Sequence, residues 1–420
     1  MSNLLPLVAA FDPHWILSGA VFLIMISVLV AAHEYGHYLL AKLCGMGVEE
    51  FAIGFGKRPV YARRPKARTP EEGEFDPAEE PEAKPGIPPR EPGMSETVYT
   101  IRPWPLGGFV RIKGMMPEED GSETRVHRGF YSRPAWQRFL VLLAGPVFSL
   151  AFGVILLAGT FMAWGVVKPL NEPVLGPVVK GEPAATAGLL PGDRILTVGG
   201  VPVTTFYDLV KEVRDNKGTP VEVVYERQGE QRSVTLTPKV GEAPTPVRGP
   251  DLEFTGETRI QARLGVLYDT HRVPLSFQES MREALMTPVR IGGGLVAMFA
   301  RPAEIKDNVG GPGTIVAITN EAAREGLETV LRLSALLSIS LGFMNLLPIP
   351  PFDGGQMMIA LAEMLRRNKR LPFKLQNAVM GVGFALVVLM MVSILWVDVE
   401  RLFLKKAPQI ELTTEAPAEK

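Results

Sequence analysis

From Trp15 to Ala32 the chain runs without a single charge, and the stretch HEYGH follows at once, from His33 to His37. An uncharged run of roughly 18 residues is long enough to cross the hydrocarbon core of a bilayer. Within such a core every backbone amide must be satisfied inside its own segment, so the run is constrained to be a helix. A cleaved secretory leader is the competing reading. It is set aside because residues 1–14 hold no Lys or Arg and because cleavage would discard the histidines. Further apolar runs extend from Trp136 to about Val167, interrupted at Gly145-Pro146, and from about Val330 to Leu347, resuming after a Pro-rich break through Leu365. A last one extends from about Ala378 to Val397. Four spanning helices are expected, with residues 283–300 helical and interfacial.

The averages conceal this segregation: apolar content is 46% and mean hydropathy +0.14, values between soluble and polytopic chains. A chain of 420 residues calls for two or more units. Net charge is -1, so bulk electrostatics supplies no handle for nucleic acid. Cys44 is the only cysteine, which excludes an intrachain disulfide and a cysteine metal cluster, and a buried, inert thiol is expected. Basic residues crowd two loops: Lys57 to Arg133 between the first two spans, and RRNKRLPFK, residues 366–374, between the last two. Both loops are therefore placed in the cytoplasm, with the N-terminus and residues 168–329 outside.

Two segments of the first loop stand apart. Residues 69–93 are rich in Pro and Glu and almost free of large apolar side chains, so a disordered insert is expected. TVYTIRPWPLGGFVRIKG, residues 97–114, alternates as two strands joined by a turn at Pro103 to Gly108. Its aromatic content points to a hairpin dipping into the membrane, with a plain surface hairpin as the other reading.

The outer segment carries strand, turn and short helix, then PGDRILTVGG, a helix from Thr205, and the alternating strands VEVVYERQG and QRSVTLTPK. It resembles a PDZ domain, on Ala184-Ala185, Ala187-Gly188-Leu189 and Pro191-Gly192-Asp193-Arg194-Ile195. ARLGVLY, residues 262–268, resembles the carboxylate-binding loop of such domains, placed last. The resemblance implies a circularly permuted PDZ domain over about 172–270, with Leu264, Gly265 and Val266 in the carboxylate loop. A peptide C-terminus would add there as a strand, or the domain would act only as a gate.

His33 and His37 stand at i and i+4, one turn apart on one helical face, so both imidazoles reach one metal ion. Glu34 lies close enough to contact a water on that metal without being a ligand. In H-E-x-x-H sites zinc lowers the pKa of bound water and the glutamate takes its proton. Satisfying two histidines and a glutamate without a metal would demand several polar partners in an apolar setting. A third protein ligand is required. His14 precedes the first span, His127 lies in a polar loop and His271 on the outer side. Asp353, in NLLPIPPFDGG (345–355), is an unpaired carboxylate between two membrane-length runs, among helix-breaking prolines and glycines.

His33-Glu34-Tyr35-Gly36-His37, Asn345-Leu346-Leu347-Pro348 and Phe352-Asp353-Gly354-Gly355 together resemble the site-2 protease family of intramembrane zinc metalloproteases. Within it they resemble the bacterial RseP-like branch, which carries PDZ domains between its second and third core spans. The resemblance implies one Zn²⁺ per chain on His33, His37 and Asp353, with Glu34 as the base. It implies substrate binding by Asn345, Pro348, Gly107 and Gly108, the hairpin holding an unwound substrate as an added strand. AGPVFS places Ser149 where the family usually has Asn, which leaves the role of that position open.

The implied fold is a polytopic α-helical membrane protein of about four transmembrane helices, with a membrane-associated β-hairpin and an extracytoplasmic α+β PDZ domain. The expected segments are 1–68 (first helix with the metal motif), 69–96 (insert), 97–135 (hairpin and connector), 136–168 (second helix), 169–275 (PDZ domain), 276–329 (interfacial helices), 330–400 (third and fourth helices) and 401–420 (tail). The implied function is cleavage of single-pass transmembrane substrates, such as anti-sigma factors or remnant signal peptides, after an upstream site-1 protease. The implied location is the bacterial plasma membrane, with the active site toward the cytoplasm. Two other readings are a non-catalytic PDZ scaffold binding partner peptides and an outward-acting metalloprotease with a membrane anchor. The presence of both histidines, Asp353 and Glu34 stands against the first, and the placement of the basic loops against the second.

Overall fold

The first helix does not end before the histidines but carries them inside it. α1 (Pro13–Leu43) continues through eleven residues beyond Ala32 and stops where Gly45, at φ 68°, adopts the left-handed conformation. There the Met46 N–H donates to the Ala41 carbonyl at 2.8 Å, closing the last turn. The computed structural model describes residues 13–74, 85–117, 120–216, 218–247, 253–300, 311–400 and 412–413. The remaining helices, apart from single turns at 70–73 and 122–125, are α2 (Ala135–Trp164), α3 (Pro183–Thr186), α4 (Phe206–Asp215), α5 (Phe277–Ala300), α6 (Pro312–Glu325), α7 (Leu327–Leu346), α8 (Asp353–Leu365) and α9 (Phe373–Val399).

The chain divides into two units, one of residues 1–163 and 276–405, the other of 164–275 with the C-terminal residues. In the first, four helices among the described residues are long and apolar enough to cross a membrane: Leu17–Leu43, Ala135–Trp164, Leu327–Leu346 and Phe373–Val399. α2 is the central one, half of its apolar window being buried, whereas only 6% of that of α9 is. Small residues allow the contact between α2 and α7: a side chain on Gly153 would strike the Ala335 carbonyl at 2.8 Å, and one on Gly342 the Pro146 carbonyl at 3.0 Å. Ser338 Oγ seals it by donating to the Ser149 carbonyl at 2.8 Å.

The expected two-stranded hairpin is instead part of a four-stranded sheet. β1 (Val48–Phe55), β2 (Tyr61–Arg63), β3 (Val98–Ile101) and β4 (Trp104–Ile112) lie in the order β2-β3-β1-β4. β3 and β4 never pair with each other; β1 lies between them, parallel to β3 and antiparallel to β4. The chain crosses from β3 to β4 over Gly54, where any Cβ would meet the Arg102 and Trp104 carbonyls at 2.8 Å. β1 escaped the sequence reading because Glu49-Glu50 looks like solvated loop. Yet Glu50 is buried, accepting from the Thr100 hydroxyl at 2.6 Å and from Arg102. The ion pair makes a charged residue tolerable in a sheet interior. β4 packs along α1, and Ser27 Oγ donates to the Pro105 carbonyl at 2.8 Å, ten residues into the first spanning helix.

The flanks of the insert expected to be disordered have defined partners. Thr69 caps the turn at 70–73, and Arg90 donates to the Glu72 carbonyl at 2.9 Å. Residues 75–84, the middle of that expectation, lie outside the described residues. The two basic loops meet at one end of the bundle: the Ala135 amide donates to Asn368 Oδ1 at 3.1 Å, and Arg370 pairs with Glu123. A buried ion pair, Arg138 Nη1 to Glu363 Oε2 at 2.7 Å, joins α2 to α8 there. Cys44 is partly exposed rather than buried.

The second unit contains β5 (Val166–Pro169), β6 (Leu175–Val179), β7 (Arg194–Val198), β8 (Val201–Pro202), β9 (Val221–Arg227), β10 (Glu230–Leu236), β11 (Lys239–Val247), β12 (Glu253–Arg263), β13 (Val266–Tyr268) and β14 (Thr270–Val273), with α3 and α4. Its core gathers Leu175, Leu189, Ile195, Leu209, Val223 and Leu264. Thr205 and Asp208 form a reciprocal capping box that starts α4. Asp193 of the PGD turn is buried, accepts from the Leu190 amide at 2.8 Å and pairs with Arg227 at 2.7 Å. β15 (Leu412–Thr413), from the tail, pairs antiparallel with β6, on the side of β6 away from β13.

Candidate active site

Helical spacing brings His33 and His37 to one face of α1, and the break after α7 returns Asp353 to the same place as the first residue of α8. Gly354 makes the return possible, since a Cβ there would strike the Leu347 carbonyl at 2.3 Å. His33 Nε2 lies 3.2 Å from His37 Nε2 and 3.1 Å from Asp353 Oδ2, and His37 Nε2 lies 3.4 Å from the same oxygen. Ligand atoms about 2.1 Å from one tetrahedral zinc ion are separated from each other by about 3.4 Å. The three donors thus form the triangle that one ion requires, and they are the one such His/Cys/Asp/Glu group among the described residues.

The far sides of the rings are held. His37 Nδ1 donates to the Val141 carbonyl at 2.8 Å, which leaves the Nε2 lone pair free for a metal. His33 Nδ1 lies 2.9 Å from Ser149 Oγ. Both partners come from α2, where Val141, Gly145 and Ser149 stand at successive i, i+4 positions on one face. Gly145 lies between them. A Cβ there would sit 2.2 Å from His37 Nε2 and 2.8 Å from His33 Nε2, on the metal side of both rings. The missing side chain keeps that space open, so the residues present fit a zinc ion. Gly36 makes the approach possible from the other helix, since its Cβ would strike the Ala144 carbonyl at 2.4 Å.

The triangle opens onto a cavity of about 340 Å³. Glu34 and Asn345 line it with His33, His37 and Asp353, and Phe109, Val110 and Ile112 of β4 form a wall. Asn345 Nδ2 donates to the Leu341 carbonyl of its own helix at 3.1 Å, leaving the amide's other N–H and its oxygen for the cavity. Among the described residues, edge strand β4 pairs only on its β1 side.

Three expected substrate residues do not line this cavity: Pro348, Gly107 and Gly108. The two glycines serve packing, since a side chain on Gly107 would meet the Phe55 ring and one on Gly108 the Ala52 carbonyl at 2.6 Å. His127 is exposed and faces Glu74 at 3.6 Å, apart from the triangle. Leu264, Gly265 and Val266 belong to the second unit. There Gly265 takes φ 76°, its carbonyl accepts from the Val179 amide at 2.8 Å, and Leu264 is buried. Glu182 packs over Gly265; burial pushes its carboxyl up, but Lys239 and Arg263 outweigh that and hold it below the usual range. Sequence reasoning missed the Val141 carbonyl and Gly145. The i, i+4 stripe on α2 was the signal that pointed to them.

A family model described as Peptidase family M50 matches residues 21–69 and 90–390. Zinc metalloprotease RasP from Geobacillus kaustophilus is 27% identical over 460 residues, covering 91% of this chain and 98% of that protein. Relatives from Brucella suis biovar 1 (29% over 402 residues, 92% and 97% covered) and Clostridium perfringens (30% over 380 residues, 90% and 97%) also carry zinc metalloprotease in their names.

Proposed function

Because this chain belongs to peptidase family M50, the site-2 proteases, and is thereby a zinc metalloprotease, we propose that it cuts peptide bonds within or at the edge of a substrate's transmembrane helix. One observation carries this reading: a metal triangle with two of its three members inside a membrane-length helix shares one cavity with edge strand β4. His33, His37 and Asp353 would hold zinc, which supplies Lewis acidity and an acidified water. Glu34, beside the ligands in the cavity, takes a proton from the attacking water and passes it to the leaving amine. Asn345 donates to the substrate backbone or its developing oxyanion. Amides in a helix are shielded by their own hydrogen bonds, so the substrate has to unwind first. β4 offers an unwound segment the N–H and C=O groups of a strand edge.

The meeting of the two basic loops at one end of the bundle supports a cytoplasmic position for both. The pairing of Leu412–Thr413 with β6 supports a common side for the tail and the second unit, as two spans between them require. The second unit acts as a permuted PDZ domain that admits substrates already shortened by another protease, among them anti-sigma factors and remnant signal peptides. The order of strand, short helix, PGD turn, capped helix and late Leu264-Gly265 loop supports that assignment. The deciding experiment is Glu34→Gln with a model single-pass substrate in reconstituted membranes. Cleavage should vanish while bound zinc stays at one per chain. Cleavage at the wild-type rate would refute the proposal.

A further inference from the structure

The cleft that the proposed reaction does not use lies at the opposite edge of the sheet from β4, along β2. It has a volume of about 380 Å³, and Tyr38, Tyr61, Tyr99, Arg63, Lys66 and Arg68 line it. Tyr38 stands five residues before the end of the first spanning helix at Leu43, so the cleft lies near one membrane face. Its cations differ from their neighbours. Lys42 and Arg128 both approach Glu96, at 3.2 and 3.1 Å, and Arg102 is committed to Glu50. The side chains of Arg63, Lys66 and Arg68 make no ion pair among the described residues.

The cleft also holds a spare donor. The Tyr38 and Tyr99 hydroxyls lie 2.7 Å apart, and one O–H satisfies the other oxygen. The second O–H of the pair is left to donate outward. Glu72, the one carboxylate among the described residues of the lining, is occupied by Lys42 at 3.1 Å and by the Arg68 amide at 3.1 Å. Three cations without an ion pair among the described residues, and a phenolic donor, around a cleft of this size suit a phosphate that carries one negative charge. Beside it the sheet edge is apolar and bare: Val60, Tyr61 and Ile101 are 74, 53 and 49% exposed. Tyrosines at the rim of a hydrocarbon layer, with long cations reaching past them, are what a bilayer surface selects.

We propose that this cleft binds the phosphate of an anionic phospholipid headgroup and seats the β2 edge of the sheet on the surface of the bilayer. A free phosphate ion shares the chemistry but has no use for the apolar rim. The site is independent of cleavage, so the test is made on Glu34→Gln protein as well as wild type.

The full chain is placed in phosphatidylcholine discs containing a minor share of phosphatidylglycerol, extracted gently, and weighed by native mass spectrometry. One phosphatidylglycerol should remain per chain. Each cation near an anionic surface changes binding about fivefold, so Arg63→Gln/Lys66→Gln/Arg68→Gln should lower retention about a hundredfold. Arg366→Gln/Lys369→Gln/Lys374→Gln, which removes equal charge from the other basic loop, should retain the lipid as wild type does. Equal retention by the wild type and the cleft variant overturns the proposal. So does equal loss from both triple variants, which would show diffuse surface charge. Binding of inorganic phosphate in the cleft, with no preference for phosphatidylglycerol over it, would overturn the lipid as source.

Discussion

The Ser149 hydroxyl lies 2.9 Å from Nδ1 of His33, across the interface of the first two spanning helices. Ser149 is fully buried, and its own carbonyl is held by Ser338 at 2.8 Å, so the hydroxyl has a fixed position from which to orient the imidazole. A group that holds the outer nitrogen of a metal-binding histidine keeps the inner one unprotonated and aimed. Ser149→Ala should weaken zinc binding by about 10- to 100-fold. Ser149→Asn, whose carbonyl also accepts, should recover much of it. Competition for zinc against a chelator of known affinity measures both, without reliance on cleavage.

Gly145 permits a sharper separation of metal from fold. Alanine there improves intrinsic helix propensity by about 1 kcal/mol. Its methyl group, however, would stand 2.2 Å from His37 Nε2. Gly145→Ala is expected to keep its helical circular dichroism and its membrane insertion while losing bound zinc. Full zinc content in that variant would contradict the geometry of the site.

Arg138 and Glu363 test what joins the bundle at the end where the basic loops meet. Both side chains are buried, their charged atoms are 2.7 Å apart, and Glu363 also accepts from the Leu371 amide at 3.0 Å. Removing one partner strands a charge in an apolar setting and costs about 3–5 kcal/mol. Arg138→Met or Glu363→Leu alone should lower thermal stability in detergent sharply. The double variant should recover most of the loss, because two apolar groups of similar volume leave no uncompensated charge.

Asp208 supplies a pH-dependent element in the second unit. Burial raises its carboxyl, but hydrogen bonds from Thr205 and Thr204 outweigh this and hold it below its ordinary value of 3.8. A carboxyl lowered by folding contributes stability above its unfolded value, and the contribution is lost as pH falls through the lower folded value. Amide exchange in α4 should therefore speed up as the pH is brought from 5 toward 3, beyond the intrinsic pH effect. Asp208→Asn should remove that extra acceleration. An unchanged profile in the variant would show that the capping carboxylate does not govern the helix.

Sequence alone determined the four membrane-length helices and the pairing of His33 with His37, because both follow from neighbours along one chain segment: charge-free length in one case, a single helical turn in the other. Asp353 was legible as a candidate from its isolation among helix breakers, but only the folded chain sets its carboxylate 3.1 Å from an imidazole 320 residues away. The tertiary structure alone decided the four-stranded sheet, since Glu50 hides a buried strand behind a charge that Arg102 neutralises. It also decided the approach of Ser149 to His33, the closeness of Gly145 to both imidazoles, and the cleft among Tyr38, Tyr61 and Tyr99. Each depends on atoms brought together from distant segments, where packing and desolvation, rather than local propensity, set which side chains can meet.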